Sequence, residues 1–195
     1  MSTAAGLVLA AGAGRRLGGP KVLVDLCGQP LLGRAVATLT SGGCAPVVAV
    51  VPPELPVPPV PAELVRNPDW RTGMGSSLRV GLAALAADPR PRAVVVLLVD
   101  TPLVGAGAVR RLLAAHDDGA AVAIATYGGR RGHPVLVARE HWAEVAHLAR
   151  GDVGARAFVL SAPERVVEVA CDGTGDPMDI DTQEDLRRAR AALGG

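Results

Sequence analysis

Short apolar runs alternate with stretches of helical periodicity along the whole chain. Residues 7–10, 46–51, 64–66, 93–99, 120–126, 135–138 and 166–169 read as strands, and 30–40, 76–87, 107–116, 140–149, 153–160 and 182–193 as helices. The run V-V-V-L-L-V within 93–99 carries no polar alternation, as expected of a central strand covered on both faces. Residues 128–132 are too few to hold a crossover helix, so strand 135–138 is expected to run antiparallel to its predecessor. The proline-rich stretch 52–61 cannot form an inner strand and is expected as an extended surface loop. Pro30 suits a first helical position, and Thr182 with Asp185 three residues on reads as a variant of the capping box. Such alternation predicts an α/β protein: a three-layer α/β/α sandwich, Rossmann-like, on a mostly parallel but mixed sheet, in one domain spanning 1–195.

Composition narrows the function classes. At 195 residues the chain can bury a core without disulfides or metal staples. A net charge of +1 and only four aromatic residues (Trp70, Tyr127, Trp142, Phe158) argue against a nucleic-acid binder. Cys27, Cys44 and Cys171 are odd in number and lack metal-ligand spacing, which suits free thiols in a reducing cytoplasm. No basic segment precedes the first apolar run, and that run is too short for a signal peptide or a spanning helix, so a cytoplasmic chain without a membrane partner is expected.

The candidate chemistry starts at the first strand's exit. Residues 6–21 read G-L-V-L-A-A-G-A-G-R-R-L-G-G-P-K, an apolar strand followed by a glycine-rich loop with Arg15 and Arg16 inside it. Lys21, the only lysine of the chain, closes the loop. Such a loop offers backbone N–H groups and cationic side chains to a phosphate chain. It is not a dinucleotide fingerprint, because Leu17 stands where the third glycine belongs, nor a Walker A loop, because Pro20 follows Gly19 and Val22 follows Lys21. Those failures disfavour a nicotinamide-dependent oxidoreductase.

Asp100 follows the most hydrophobic strand, at the edge where open α/β sheets bind ligands. It suits a Mg²⁺ ligand for a triphosphate and equally suits a cap for the next helix. Near the C-terminus, Asp179 and Asp181 in D-I-D would share one face of an extended segment and complete a divalent-cation site beside Asp100. In N-P-D-W-R-T-G-M-G-S-S-L, Ser76 and Ser77 are candidate helix caps, and with Asn67 and Arg71 they are also candidates to read a base and ribose. His133 has no nucleophile beside it in the sequence and reads as a structural histidine. The stretch A-R-G-D-V-G-A-R (149–156) is either an anion-binding loop for a second substrate or an ordinary turn.

Six motifs, L-A-A-G-x-G-x-R-x-G-x-x-K, N-x-x-W-x-x-G-M-x-x-S-L, V-D-T-P, G-H-P-V, G-D-x-G-A-R and D-I-D-T-x-E-D-L, lie in this order over nearly the whole chain. The sequence thereby resembles the molybdenum cofactor cytidylyltransferases within the MobA-like NTP transferase superfamily. The resemblance implies a Rossmann-like nucleotidyltransferase fold, with NTP bound by a half of about 1–105 and the acceptor by a half of about 106–195. It implies Mg²⁺-dependent transfer of CMP from CTP to the terminal phosphate of molybdopterin or molybdenum cofactor, with release of pyrophosphate. Nucleotide contacts would come from Leu9, Ala10, Ala11, Gly12, Gly14, Arg15, Lys21, Asn67, Ser76, Ser77 and Asp100. Catalysis would fall to Lys21, Arg15 and Asp100, and metal binding to Asp100 and Asp181, Asp181 matching better than Asp179. Partners would be small molecules, with a molybdenum hydroxylase receiving the product, and the chain would be a monomer or weak dimer. GTP in place of CTP, another phosphorylated acceptor such as a sugar phosphate, polyol phosphate or phospholactate, and a cofactor-delivery protein are the alternatives. Gln183, where the family has proline, is expected to leave the chemistry untouched.

Overall fold

The computed structural model of the protein describes residues 3–12, 14 and 16–194, except the side chain of Arg156. Side-chain alternation builds its sheet. In β1 (Ala4–Leu9), Ala4 and Val8 join one apolar core while Ala5, Leu7 and Leu9 join a second on the opposite face. A small hairpin follows, β2 (Asp25–Leu26) and β3 (Gln29–Pro30), then α1 (Leu31–Gly42), β4 (Val47–Val51) and β5 (Glu63–Arg66). Next come α2 (Met74–Ala86), β6 (Ala93–Leu98), α3 (Ala106–Asp117), β7 (Val122–Tyr127) and β8 (Arg130–Ala138). The chain ends with α4 (Trp142–Leu148), α5 (Arg156–Ser161), β9 (Val166–Ala170) and α6 (Gln183–Gly194).

The main sheet has seven strands in the order β5-β4-β1-β6-β8-β7-β9. β5, β4, β1 and β6 are mutually parallel, β8 runs against both neighbours, and β9 is parallel to β7. Only β8 is reversed, because β7 reaches it through the Gly128–Gly129 turn, where both glycines have positive φ. One core gathers Leu32, Val36 and Leu39 of α1, Val109 and Leu112 of α3, and Leu186 of α6. The other gathers Leu78, Leu82 and Leu85 of α2, Trp142 and Val145 of α4, and Phe158. This is the expected three-layer α/β/α sandwich on a mostly parallel, mixed sheet. Leu136 of β8 is fully buried, so Leu136→Ala should cost about 2–5 kcal/mol, seen as a lower urea midpoint at unchanged slope.

Several boundaries differ from the sequence reading. β8 begins at Arg130 rather than 135, because the glycine turn lets pairing start at Tyr127–Arg130. The stretch 153–160 is helical only from Arg156, since Gly151 and Gly154 hold positive φ and break the turn before it. Ser76 and Ser77 are not caps: α2 already starts at Met74, with Gly73 at the cap position. The hairpin of β2 and β3 was not anticipated; its Cys27–Gly28 corner, with φ of 55° and 81°, has the two positive φ values of a type I′ turn. The capping box at Thr182 is present, with the Thr182 N–H donating to Asp185 Oδ2 (2.9 Å) and the Asp185 N–H donating to Thr182 Oγ1 (3.2 Å). Cys27 is exposed, Cys44 and Cys171 are buried, and all three are free thiols. Among the described residues no helix is long and apolar enough to cross a membrane.

Candidate active site

β1 and β6 pair in parallel with Leu9 opposite Leu98, so the chain leaves both strands at the same edge of the sheet. The glycine loop leaves one and Asp100 the other. The loop turns about the Gly14 carbonyl, which accepts hydrogen bonds from the N–H groups of Leu17 (2.9 Å) and Gly19 (3.3 Å). Gly14 has a φ of +59°, and a side chain there would place its first carbon 1.9 Å from the Gly19 carbonyl oxygen. Glycine is therefore required at that point. The loop closes on a single 3₁₀ turn, Lys21–Leu23, which directs Lys21 inward.

The second carboxylate arrives from the other end of the chain. Residues 174–181 run beside 100–105: the Gly105 N–H donates to the Thr174 carbonyl (2.9 Å), and the Asp176 N–H to that of Leu103 (3.1 Å). The Ile180 N–H donates to the Asp100 carbonyl (2.8 Å), and the Ile180 side chain is fully buried. Fixing Ile180 brings Asp181 next to Asp100 and leaves Asp179 exposed. Of the two aspartates of D-I-D, only Asp181 thus comes next to Asp100, and they do not share one face toward it.

Lys21 joins the two. Its Nζ donates to Asp100 Oδ2 at 2.6 Å and to Asp181 Oδ1 at 2.5 Å, while Arg16 Nη2 lies 3.2 Å from Asp181 Oδ2. Burial alone would lower the Lys21 pKa, but the two carboxylates outweigh it and hold the ammonium above its ordinary value. Its stabilising contribution is therefore present throughout the physiological range and fades only as pH rises past the ordinary lysine value and through the raised one. Asp100 Oδ1 is buried and, among the described residues, has no hydrogen-bond partner.

These groups form one side of an open cleft of about 480 Å³. Of the candidate site residues, Leu9, Ala11, Gly12, Gly14, Lys21, Ser77, Asp100 and Asp181 line it. Ala10 is fully buried beneath the loop. Asn67 is also fully buried, and its amide donates to the hydroxyls of Ser76 (2.9 Å) and Ser77 (3.0 Å). It holds Ser77 in place, and Ser76 turns back onto the Gly73 and Asp69 carbonyls. Arg15 lies outside the described residues. Sequence reasoning overlooked Trp70 and Met74, which line the far wall with Arg71, Gly73 and Asp152. The Arg71 guanidinium lies 4.6 Å from the centre of the Trp70 ring, and both residues also face an adjoining hollow of about 310 Å³ under Pro52 and Pro53. The scarcity of aromatics was the available signal for Trp70. The 149–152 turn closes on the start of α2, the Gly75 N–H donating to the Gly151 carbonyl at 2.8 Å.

His133 sits half-buried in β8. Its Nδ1 lies 3.4 Å from the Val96 carbonyl, and burial lowers its pKa. The Gln183 side-chain amide donates to the Leu17 carbonyl (2.7 Å), tying the start of α6 to the glycine loop. A proline there could not make that bond.

The cleft combines a loop suited to phosphates, two facing carboxylates and two cations. Among the described residues no three His, Cys, Asp or Glu side chains gather to hold a metal. A hard cation such as Mg²⁺ commonly uses one or two carboxylates and takes its other ligands from substrate phosphates and water. Asp100, with an unpartnered buried oxygen, and Asp181 fit that description.

Fold and cleft together define a nucleotidyltransferase-type α/β domain. The chain belongs to the MobA-like NTP transferase domain family, whose profile matches residues 6–166. It is 37% identical to the nicotine blue oxidoreductase of Paenarthrobacter nicotinovorans, over 94% of each chain. It is 34% identical to the molybdenum cofactor guanylyltransferase of Rhodobacter capsulatus, over 97% of this chain and 96% of that one. Rv0371c from Mycobacterium tuberculosis H37Rv, solved in complex with manganese, superposes with a TM-score of 0.76 at 27% identity, over 98% of this chain and all of that one.

Proposed function

We propose that this protein transfers CMP from CTP to the terminal phosphate of molybdopterin or molybdenum cofactor, forming the cytosine dinucleotide and pyrophosphate with Mg²⁺. The observation that carries the reading is the Lys21–Asp100–Asp181 cluster at the mouth of the glycine loop. Asp100 and Asp181 would hold the metal. When bound, Mg²⁺ neutralises phosphate charge and orients the triphosphate. The loop amides and Lys21, with Arg15, take the β- and γ-phosphates and stabilise the leaving pyrophosphate. The nucleophile is a phosphate already ionised at neutral pH, so no general base is required, and alignment of the two substrates supplies most of the catalysis.

In this reading the half of about 1–105 takes CTP and the half of about 106–195 takes the pterin. Ala11 supports CTP, since GTP-using relatives resembling this chain carry glycine there. The guanylyltransferase relative keeps GTP as the competing nucleotide. A second reading, an oxidoreductase, is favoured by the name of the 37%-identical relative and opposed by the intact phosphate cluster.

Incubation with molybdopterin or its molybdenum form, Mg²⁺ and either CTP or GTP, followed by mass spectrometry, should give the cytosine dinucleotide. The guanine product alone would reverse the base assignment. Neither product, together with NADH binding by fluorescence titration, would replace nucleotidyl transfer with the redox reading.

A further inference from the structure

The ammonium of Lys21 lies within 2.6 Å of one oxygen from each carboxylate that would bind the metal. A metal held by Asp100 and Asp181 would draw on the same two carboxylates that the ammonium now engages, so the two cations compete for one pair of negative charges. We propose that Lys21 is a place-holding cation: it occupies the metal position until Mg²⁺ and the nucleotide arrive together, then moves from the carboxylates to the phosphates. The inference rests on the nucleotidyltransferase reading of this cleft and adds to it a rule for the order of binding.

The charges favour this exchange. Without ligands, the two carboxylates are balanced by Lys21 and Arg16, and both oxygens of Asp181 are engaged by those cations. Lys21 is nearly buried, its side chain only 10% exposed, so its charge is poorly screened. A divalent cation arriving alone either sits beside the ammonium or expels it without a new partner. Both outcomes are unfavourable because Lys21 and Asp100 are largely shielded from water. A triphosphate removes the penalty, because the glycine loop that ends at Lys21 brings phosphate oxygens to the displaced ammonium. Arg16, 74% exposed, follows at little cost. Metal and nucleotide therefore bind with positive coupling, and by reciprocity each raises the other's affinity by the same factor.

The device has a signature that a simple phosphate-binding lysine lacks. Removing Lys21 should weaken the nucleotide but strengthen the metal alone. Mn²⁺ binding to the purified full chain, followed by electron paramagnetic resonance, should be weak in the wild type. It should tighten about tenfold or more on adding α,β-methylene CTP or GTP, analogues that cannot react. Lys21→Met should bind Mn²⁺ alone about tenfold more tightly than the wild type and lose most of the response to the analogue. Lys21→Arg, which keeps the charge and the fold, should retain weak binding of the metal alone; thermal unfolding checks that each variant is folded. Equal or weaker Mn²⁺ binding by folded Lys21→Met would overturn the proposal, even if the wild type turns over CTP. If neither analogue binds the wild type at any Mn²⁺ concentration, nucleotidyl transfer is what fails, and the Met-to-wild-type Mn²⁺ ratio still judges the place-holder.

Discussion

Replacing Asp100 with alanine should lower kcat by about a thousandfold or more, on the order of 4 kcal/mol of transition-state stabilisation, and leave the fold intact. The expectation follows from how the site is assembled. What docks the C-terminal segment at this point is the Asp100 carbonyl, which accepts the Ile180 N–H, so the strap survives loss of the side chain. Lys21 keeps Asp181 as a partner, which avoids an uncompensated buried ammonium. The variant loses the only carboxylate in the cleft that has a buried, unpartnered oxygen among the described residues. Pyrophosphate release measured beside circular dichroism and thermal unfolding separates the two effects. Mg²⁺-dependent turnover near the wild-type rate would show that Asp100 has no part in the reaction.

The second large effect is expected at Gly14→Ala. The new methyl group would meet the Gly19 carbonyl oxygen at 1.9 Å, and the residue would be held at a positive φ that disfavours L side chains. The loop must open to accept it, and opening displaces the amides and the backbone that carries Lys21. Misplacement of about 1 Å at a reacting centre can cost about a hundredfold, so kcat/KM for the nucleotide should fall by that factor or more. Stability should fall by only about 1–2 kcal/mol, because the clash is with a loop carbonyl and not with the core side chains Ala10 and Leu17. A variant that binds nucleotide normally would mean the observed loop shape is not the one that grips phosphate.

Much of the fold was legible because buried strands impose long apolar runs. The run within β6 announced a central strand, and residues 128–132, too few for a crossover helix, forced a reversal. Helix ends were less legible. The serines near α2 looked like caps, yet Gly73 occupies that position and the serines are spent on Asn67 and nearby carbonyls. Lys21 stood out from the sequence as the chain's only lysine, and Asp100 as a carboxylate at the exit of its most hydrophobic strand, although a helix cap was an equal reading there. The contacts that place Asp181, and that link Gln183 to Leu17, were invisible. They are main-chain or side-chain-to-main-chain bonds between segments far apart in the sequence, and such bonds leave no pattern in residue type. Trp70 escaped notice for another reason: its role depends on a wall that exists only once α2 packs against the 149–152 turn.

The bond between Ile180 and Asp100 also bears on how the protein matures. The partners Lys21 and Asp181 are 160 positions apart. A ribosome making the chain from its N-terminus would present the loop and Asp100 long before the strap that completes the cluster. During that interval Lys21 has one carboxylate instead of two, and the cleft lacks part of its metal-binding set. Completion of the cluster is thus tied to a late-made segment, and a chain truncated before residue 174 would lack both Asp181 and the Ile180 anchor that places it.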